Sequence, residues 1–228
     1  TVKNAKKIPK TFSDAFKLAM SPRRGPVCIN LPRNILADKG NFKINDKNQS
    51  FDSQNSTKAK SNYIKKAVKI INNSNKTVII AGGGIKYTSR YKNVVKLAEL
   101  LNVPIVTAAG HGDAIPFNHK LNAGQMGPRG NPVASKLVKE ASVIIALGTR
   151  LGFNSTFYSY ENINKRAKII QVELEKRMIG RYFPVAVGIY GDAATIADQL
   201  YKEIKKQNIT LDIKKWTNNY LNERKNFL

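Results

Sequence analysis

Five short apolar runs constrain this chain more than any other feature: TVIIA at 77–81, VPIVT at 103–107, SVIIAL at 142–147, AKIIQV at 167–172 and VAVGIY at 185–190. None alternates apolar with polar residues in the manner of a half-solvated strand. A strand that is apolar along its length has both faces covered. Between the runs, apolar residues recur at helical spacing. Ile64, Ala67, Val68 and Ile71 form one stripe, and Val94, Leu97, Ala98 and Leu101 form a second. Ile196, Ala197, Leu200 and Ile204 form another, behind Asp192 as helix cap. NPVASKLVKEA adds a helix with Asn131 as cap and Pro132 at its first position. Strands alternating with helices from residue 59 to about 205 predict an α/β fold with a doubly wound, mostly parallel sheet.

The regions outside that pattern read differently. TFSDAFKLAM at 11–20 predicts a short helix capped by Thr11 or Ser13, with Phe12, Phe16 and Ala19 on one face. PVCINL at 26–31 predicts a buried strand, which makes Cys28 a small core residue. Residues 37–58 are polar, rich in Asn, Asp, Ser and Lys, and form the one clear linker. The tail DIKKWTNNYLNERKNFL predicts a last helix carrying Trp216 and Leu221.

A parallel sheet sends every strand's carboxyl end to one edge, and ligands of such sheets bind there, at the switch point. Gly82, Gly83 and Gly84 follow TVIIA and would let backbone amides approach an anion. They match neither the spaced dinucleotide fingerprint nor a P-loop. Thr107, Ala108 and Ala109, then Gly110, His111 and Gly112, follow the next run and leave room for a flat ligand. Gly148, Thr149 and Arg150 follow SVIIAL, and Arg150 could grip a phosphate with two parallel hydrogen bonds. Glu173 ends its strand where an acid can take a ribose hydroxyl pair. Together these positions describe a nucleotide-sized slot. Each has a plainer reading: tight turns for the glycines, a surface side chain for Arg150, a solvated acid for Glu173, a helix cap for Asp192.

Other chemistries lack their residues. No nucleophile elbow or Cys-x-x-Cys pair is present, and His111, Asp113 and His119 share one loop region with too few further ligands for a metal site. No run of about 18 apolar residues exists, so no membrane span is expected. The first residues, TVKNAKKIPK, lack a signal-peptide core. A single cysteine fits a reducing, cytoplasmic compartment. The net charge of +24 is spread as lysines over helices and loops, so compositional bias is favoured over a nucleic-acid partner. The chain does not begin with Met, consistent with a fragment or a processed product.

The succession GPVCINLPRN, a polar linker, TVIIAGGGI, HGDAIPFNHKLNAGQMG, ASVIIALGTRL, KIIQVELEKRMIGR and VGIYGDA resembles the thiamine-diphosphate-dependent enzymes of the acetolactate synthase type. Acetolactate synthase large subunits and sulfoacetaldehyde acetyltransferases are the nearest in pattern, with glyoxylate carboligase a further relative. The resemblance implies three α/β domains in a complete enzyme. Residues 1–36 would be the end of the pyrimidine-binding domain and 37–58 a linker. Residues 59–206 would be a Rossmann-like central domain, and 207–228 a helix leading towards the diphosphate-binding domain. It implies a carboligase or decarboxylase of 2-oxo acids that uses thiamine diphosphate and Mg²⁺ and works as a homodimer or homotetramer. The glutamate that activates the cofactor and the Gly-Asp-Gly stretch that holds the metal would lie outside this chain. No catalytic residue is therefore expected in it, and no activity alone.

The central domain of such enzymes binds FAD, binds ADP, or is empty. Carried over by motif, its cofactor-binding positions are Gly83, Gly84, Thr107, Ala108, Gln125, Met126, Gly127, Gly148, Thr149, Arg150, Glu173 and Asp192. One departure stands out. Acetolactate synthases usually continue the arginine segment with Phe-Asp-Asp-Arg, whereas here Leu151, Gly152, Phe153 and Asn154 follow, so a second arginine is lost. Asn34 likewise stands where an aspartate is usual after Leu-Pro. A standalone nucleotide-binding module of the same fold is the alternative reading.

Overall fold

The computed structural model describes residues 1–21, 24–41, 57–86 and 90–227. The chain divides into two compact units, Thr1–Asn55 and Ser56–Leu228. The boundary falls inside the polar stretch read as a linker, most of which lies outside the described residues.

In the first unit, helix α1 (Ile8–Ala19) starts earlier than its sequence suggests. Pro9 in the first turn presets the backbone angle and needs no hydrogen-bond donor. Thr11 and Ser13 therefore sit inside the helix and do not cap it. The Thr11 hydroxyl instead donates to the Lys7 carbonyl at 2.8 Å. Phe12 and Phe16 do share a face, but both rings are exposed. The expected strand at 26–31 does not form, and Val27 and Cys28 are exposed. An apolar run becomes a strand only beside a partner. Val2 N–H reaches the Asn30 carbonyl at 2.9 Å, but no described strand of this unit lies alongside. Behind Pro32 the chain makes a single turn, α2 (Arg33–Leu36).

The second unit contains a six-stranded, wholly parallel sheet. Its strands are β1 (Thr77–Ala81), β2 (Ile105–Thr107), β3 (Asn122–Gln125), β4 (Val143–Leu147), β5 (Lys168–Glu173) and β6 (Val187–Tyr190). Their spatial order is β3-β2-β1-β4-β5-β6. The order reverses between β1 and β4, and that is the switch point. The helices are α3 (Ser61–Asn72), α4 (Gly83–Lys86), α5 (Tyr91–Leu101), α6 (Pro132–Glu140), α7 (Phe153–Thr156), α8 (Ala193–Lys206) and α9 (Lys214–Phe227). The predicted stripes of α3, α5 and α8 are buried at every named position, and Asn131 caps α6 by accepting from Val133 N–H at 2.8 Å.

Strand side chains alternate between two cores. Ile79, Ala81, Ile105, Ile145, Leu147, Ile170 and Val172 pack against α3, α5 and α8. Val78, Ile80, Val106, Ile144, Ala146 and Ile169 pack against α6 and Tyr220 of α9. Both faces are dry, which is why the strands read as continuous apolar runs.

Strand β3 goes beyond the five strands read from sequence. Asn122 and Gly124 are poor strand formers, so the segment carries no apolar signature. It is held by other means: the Asn122 side chain accepts from Gly124 N–H and donates to the Pro116 carbonyl. Helix α9 then covers it, with the Arg224 guanidinium donating to the carbonyls of Asn122 and Phe117. At the opposite edge, Thr57 accepts from Asp192 N–H at 3.1 Å. Ala59 exchanges two hydrogen bonds with the Gln199 side chain of α8, at 2.8 and 3.1 Å.

Candidate functional site

At the switch point two glycine turns meet backbone to backbone. Gly82 N–H donates to Leu147 carbonyl and Gly84 N–H to Gly148 carbonyl, both at 3.0 Å. A Cβ on Gly84 would stand 2.7 Å from Gly148 Cα, and one on Gly148 would stand 2.6 Å from Gly84 Cα. Gly148 also has φ +62°, a left-handed conformation that glycine adopts without strain. The turn after β1 and the turn after β4 are thereby locked into one surface.

The turn after β2 joins them from the other side. The His111 ring lies over Gly83, where a Cβ would come within 2.8 Å of Cε1. Ala109 N–H donates to the Ser155 hydroxyl at 3.0 Å, tying this turn to α7. Gly127, at φ +97°, brings in the end of β3: a Cβ there would meet the Asn154 carbonyl and lie 3.1 Å from the Ala109 methyl. The Gln125 side chain points back along the same edge, its Oε1 being 3.2 Å from where a Gly112 Cβ would lie. Gly83, Gly84, Gly127 and Gly148, with Ala109, His111 and Ser155, thus form one continuous loop surface at the carboxyl edge of β1 to β4.

Several of the expected positions turn inward. Thr107 and Ala108 are buried, the latter bonded to the Ala81 carbonyl. Met126 is fully buried in the core on the α6 face, and only its backbone lies near the turn. Thr149 is buried with its hydroxyl accepting from Leu151 N–H, while its carbonyl accepts from the Gln171 amide. Gln171 is an interior polar residue of β5. It accepts from Gly180 N–H as well, and so pins the loop after β4 to the loop at 178–180. Arg150 is exposed, and its side chain passes over Gly152, with Nε 3.1 Å from where a Cβ would be.

Glu173 and Asp192 belong to a separate group at the ends of β5 and β6. Glu173 accepts from Leu174 N–H at 2.9 Å, and its carbonyl accepts from Gly191 N–H. Asp192 is 2% exposed; its carboxylate caps α8 through Thr195 N–H at 2.7 Å and is bridged by Arg90 at 2.7 Å. Arg90 also donates to the Thr195 hydroxyl. It follows a stretch, 87–89, that lies outside the described residues, and nothing in its sequence context announced a pairing with a residue a hundred positions away.

Charge at the β1–β2 ends comes from Lys86, paired with Asp113 at 2.8 Å. Burial and the nearby Lys86 ammonium hold His111 below the ordinary histidine pKa, with Asp113 opposing them. Lys86 in turn holds the Asp113 carboxyl below its usual range. His119 is turned away: its Nδ1 accepts from Leu121 N–H and its Nε2 lies 3.5 Å from Glu99. Among the described residues no group of three His, Cys, Asp or Glu side chains could hold a metal ion, and no helix is long and apolar enough to cross a membrane.

Comparison with known proteins identifies the family of the chain. Residues 64–200 match the family model described as thiamine pyrophosphate enzyme, central domain. The chain is 31% identical over 223 residues to a probable acetolactate synthase large subunit of Methanococcus aeolicus, covering 93% of this chain and 37% of that protein. It is 32% identical over 214 residues to a sulfoacetaldehyde acetyltransferase of Alcaligenes xylosoxydans xylosoxydans, covering 93% and 35%. It is 33% identical over 221 residues to the acetolactate synthase large subunit of Buchnera aphidicola subsp. Schizaphis graminum (strain Sg), covering 94% and 38%. The chain therefore spans little more than a third of the length of these relatives.

Proposed function

Because this chain belongs to the thiamine pyrophosphate enzyme family, as its central domain, we propose that it is the middle of a carboligase or decarboxylase acting on 2-oxo acids. Within such an enzyme its own task is to bind a nucleotide and to brace a homodimer or homotetramer. The observation that carries the nucleotide reading is the continuous glycine surface at the β1–β4 switch point. There the turns after β1 and β4 meet backbone to backbone, the turn after β2 joins them through the His111 ring, and Arg150 lies at the end of β4. With the Gly84 and Gly148 amides committed to the Gly148 and Val172 carbonyls, the Gly83 amide and Arg150 would hold the phosphates, and Glu173, at the end of the neighbouring strand β5, would face the ribose hydroxyls. A nucleotide there supplies no chemistry of its own, only a rigid link between loops.

Thiamine diphosphate with Mg²⁺ would be held by the parts of such an enzyme that flank its central domain. The ion needs oxygen ligands gathered in one place, and among the described residues no carboxylate cluster gathers them. An acetyltransferase resembling the sulfoacetaldehyde enzymes is a second reading. The 32% identity to one of them falls between the 31% and 33% to two synthases, and the segment Leu151–Asn154 departs from the synthase pattern.

Isothermal titration of the chain with ADP and with FAD tests the nucleotide reading. ADP should bind saturably and ahead of FAD, because the loop after β4 offers one arginine where flavin-binding relatives are expected to have two. Arg150→Ala should weaken ADP binding by about 1.5–3 kcal/mol, the worth of a charge-assisted contact. No saturable binding of either nucleotide would overturn the reading, and a yellow protein with stoichiometric flavin would overturn the preference for ADP.

A further inference from the structure

We infer that the rings of Phe153, Phe157 and Tyr158 form the seat of the nucleotide's base, an aromatic platform on which a purine stacks while Arg150 holds a phosphate beside it. The proposal rests on the nucleotide reading above and adds to it the subsite that selects the base. The three residues are open to solvent, at 52%, 42% and 47% exposure, and none belongs to either core of the sheet. Their rings are set against one another instead. Phe153 meets Phe157 edge-on with ring centres 5.0 Å apart and lies 5.6 Å from Tyr158, which stacks on Tyr182 at 4.3 Å. Aromatic rings gathered at a surface in this way mark a place where something else binds.

The backbone is strained to present them. Leu151, Phe157 and Tyr158 have φ of +53°, +51° and +56°. The other left-handed non-glycine residues among the described residues are Asn102 and Asn208, and asparagine tolerates that region better than a bulky side chain does. Phe157 ends α7 at a position where glycine is usual. The buried Thr156 holds the turn: its hydroxyl donates to the Leu151 carbonyl at 3.0 Å and accepts from Tyr158 N–H at 3.2 Å. Strain of this kind gathers at ligand sites, and here the exposed rings return little burial in exchange for it.

Charge decides which occupant fits. Hydrogen bonding to Tyr182 pushes the Tyr158 phenol above its ordinary pKa, and the exposed Arg150 guanidinium is near enough to oppose it. Arg181, also exposed, lies over the Tyr182 ring at 5.5 Å. A flat ring joined to an anion answers both features, the ring on the aromatic side chains and the anion at a guanidinium. Helix α7 is tied to the switch-point surface through the Ser155 hydroxyl, which accepts from Ala109 N–H, and through the Asn154 carbonyl beneath Gly127. The platform is therefore continuous with the turns that would meet the phosphates. A second copy of this chain is a poorer occupant, because it brings the same net charge of +24 to a face already rimmed by arginines.

The test is calorimetry of the whole chain with ADP and with UDP, which share ribose and diphosphate and differ in the stacking area of the base. The parent should bind ADP roughly ten-fold more tightly than UDP, the order of one base stacked on an aromatic ring. Phe153→Ala and Phe157→Gly should each bring the two affinities close together. Glycine suits the left-handed angle at 157, so Phe157→Gly should also unfold at no lower a temperature than the parent. A ring kept only for packing would not give that combination, and earlier unfolding with the ADP preference intact overturns the platform. Equal affinities for ADP and UDP in the parent, or a preference that survives both substitutions, overturn it too and leave the nucleotide reading standing. A parent that binds neither nucleotide overturns both. A parent dimer in light scattering that Phe153→Ala dissociates would show the rings to be an interface between copies, and would overturn the assignment to a base.

Discussion

Gly148 and Gly110 separate two uses of the same residue. Both have left-handed backbone angles, +62° and +80°, but nothing lies within 4 Å of a Cβ built on Gly110, whereas one on Gly148 collides with the backbone of Gly84. Gly110→Ala should therefore cost only the strain of the angle, about 1 kcal/mol. Gly148→Ala should cost that and the overlap, about 2–5 kcal/mol, because backbone cannot give way as a side-chain tip can. Urea unfolding of the two variants measures the difference, and equal costs would mean that the two turns are not held against each other. At this scale the sequence announced turns and placed them after the right strands. It did not announce that Gly84 and Gly148, distant in the chain, touch. Nor did it show that Met126 and Thr149 turn inward, since a motif position gives no side-chain direction. His111 was legible only as part of a loop, because the Gly83 face it rests on comes from another strand's turn.

Elements with a strong period were the most legible, and those set by tertiary context the least. The stripes of α3, α5 and α8 needed only their own spacing to be read. β3 could not be read because it is stabilised by side-chain bonds and by α9, and the apolar run at 26–31 misled because a run says nothing of whether a neighbour is present. Helix α9 itself was expected, with Trp216 and Leu221, but not its seat. Trp216 Nε1 donates to the Thr77 carbonyl, the Thr217 hydroxyl to the Asn102 carbonyl, and the Tyr220 hydroxyl to Glu140 at 2.5 Å. Burial first, and then Glu140, push the ionisation of Tyr220 above the ordinary tyrosine value of about 10. A neutral group with a raised pKa stabilises the fold fully below its unfolded value, and that contribution drains away as the pH climbs towards the folded one. Stability of the parent should therefore fall between about pH 10 and 11, and Tyr220→Phe should fall less over the same interval. Urea unfolding at pH 9 and 10.5 decides it, and parallel losses would show that Tyr220 does not anchor α9.

On the scale of the molecule, the second unit has both of its cores and all of its strands to itself. Residues 57–228 alone should unfold in one cooperative transition by circular dichroism, and a broad or absent transition would mean that the core needs more of the chain. The whole chain, given pyruvate, thiamine diphosphate and Mg²⁺, should show no decarboxylation, and turnover free of contaminating enzyme would contradict the division of labour proposed above. The attachments of this unit have a further consequence. The polypeptide enters it at Thr57, fastened beside β6 and α8, and its last helix lies along β3 at the far edge. Five inter-strand gaps of about 4.8 Å separate those edges, about 24 Å in all. The unit is thus a spacer of set width, its entry at one margin of the sheet and the end of its last helix at the other, displaced sideways from each other by the breadth of the sheet.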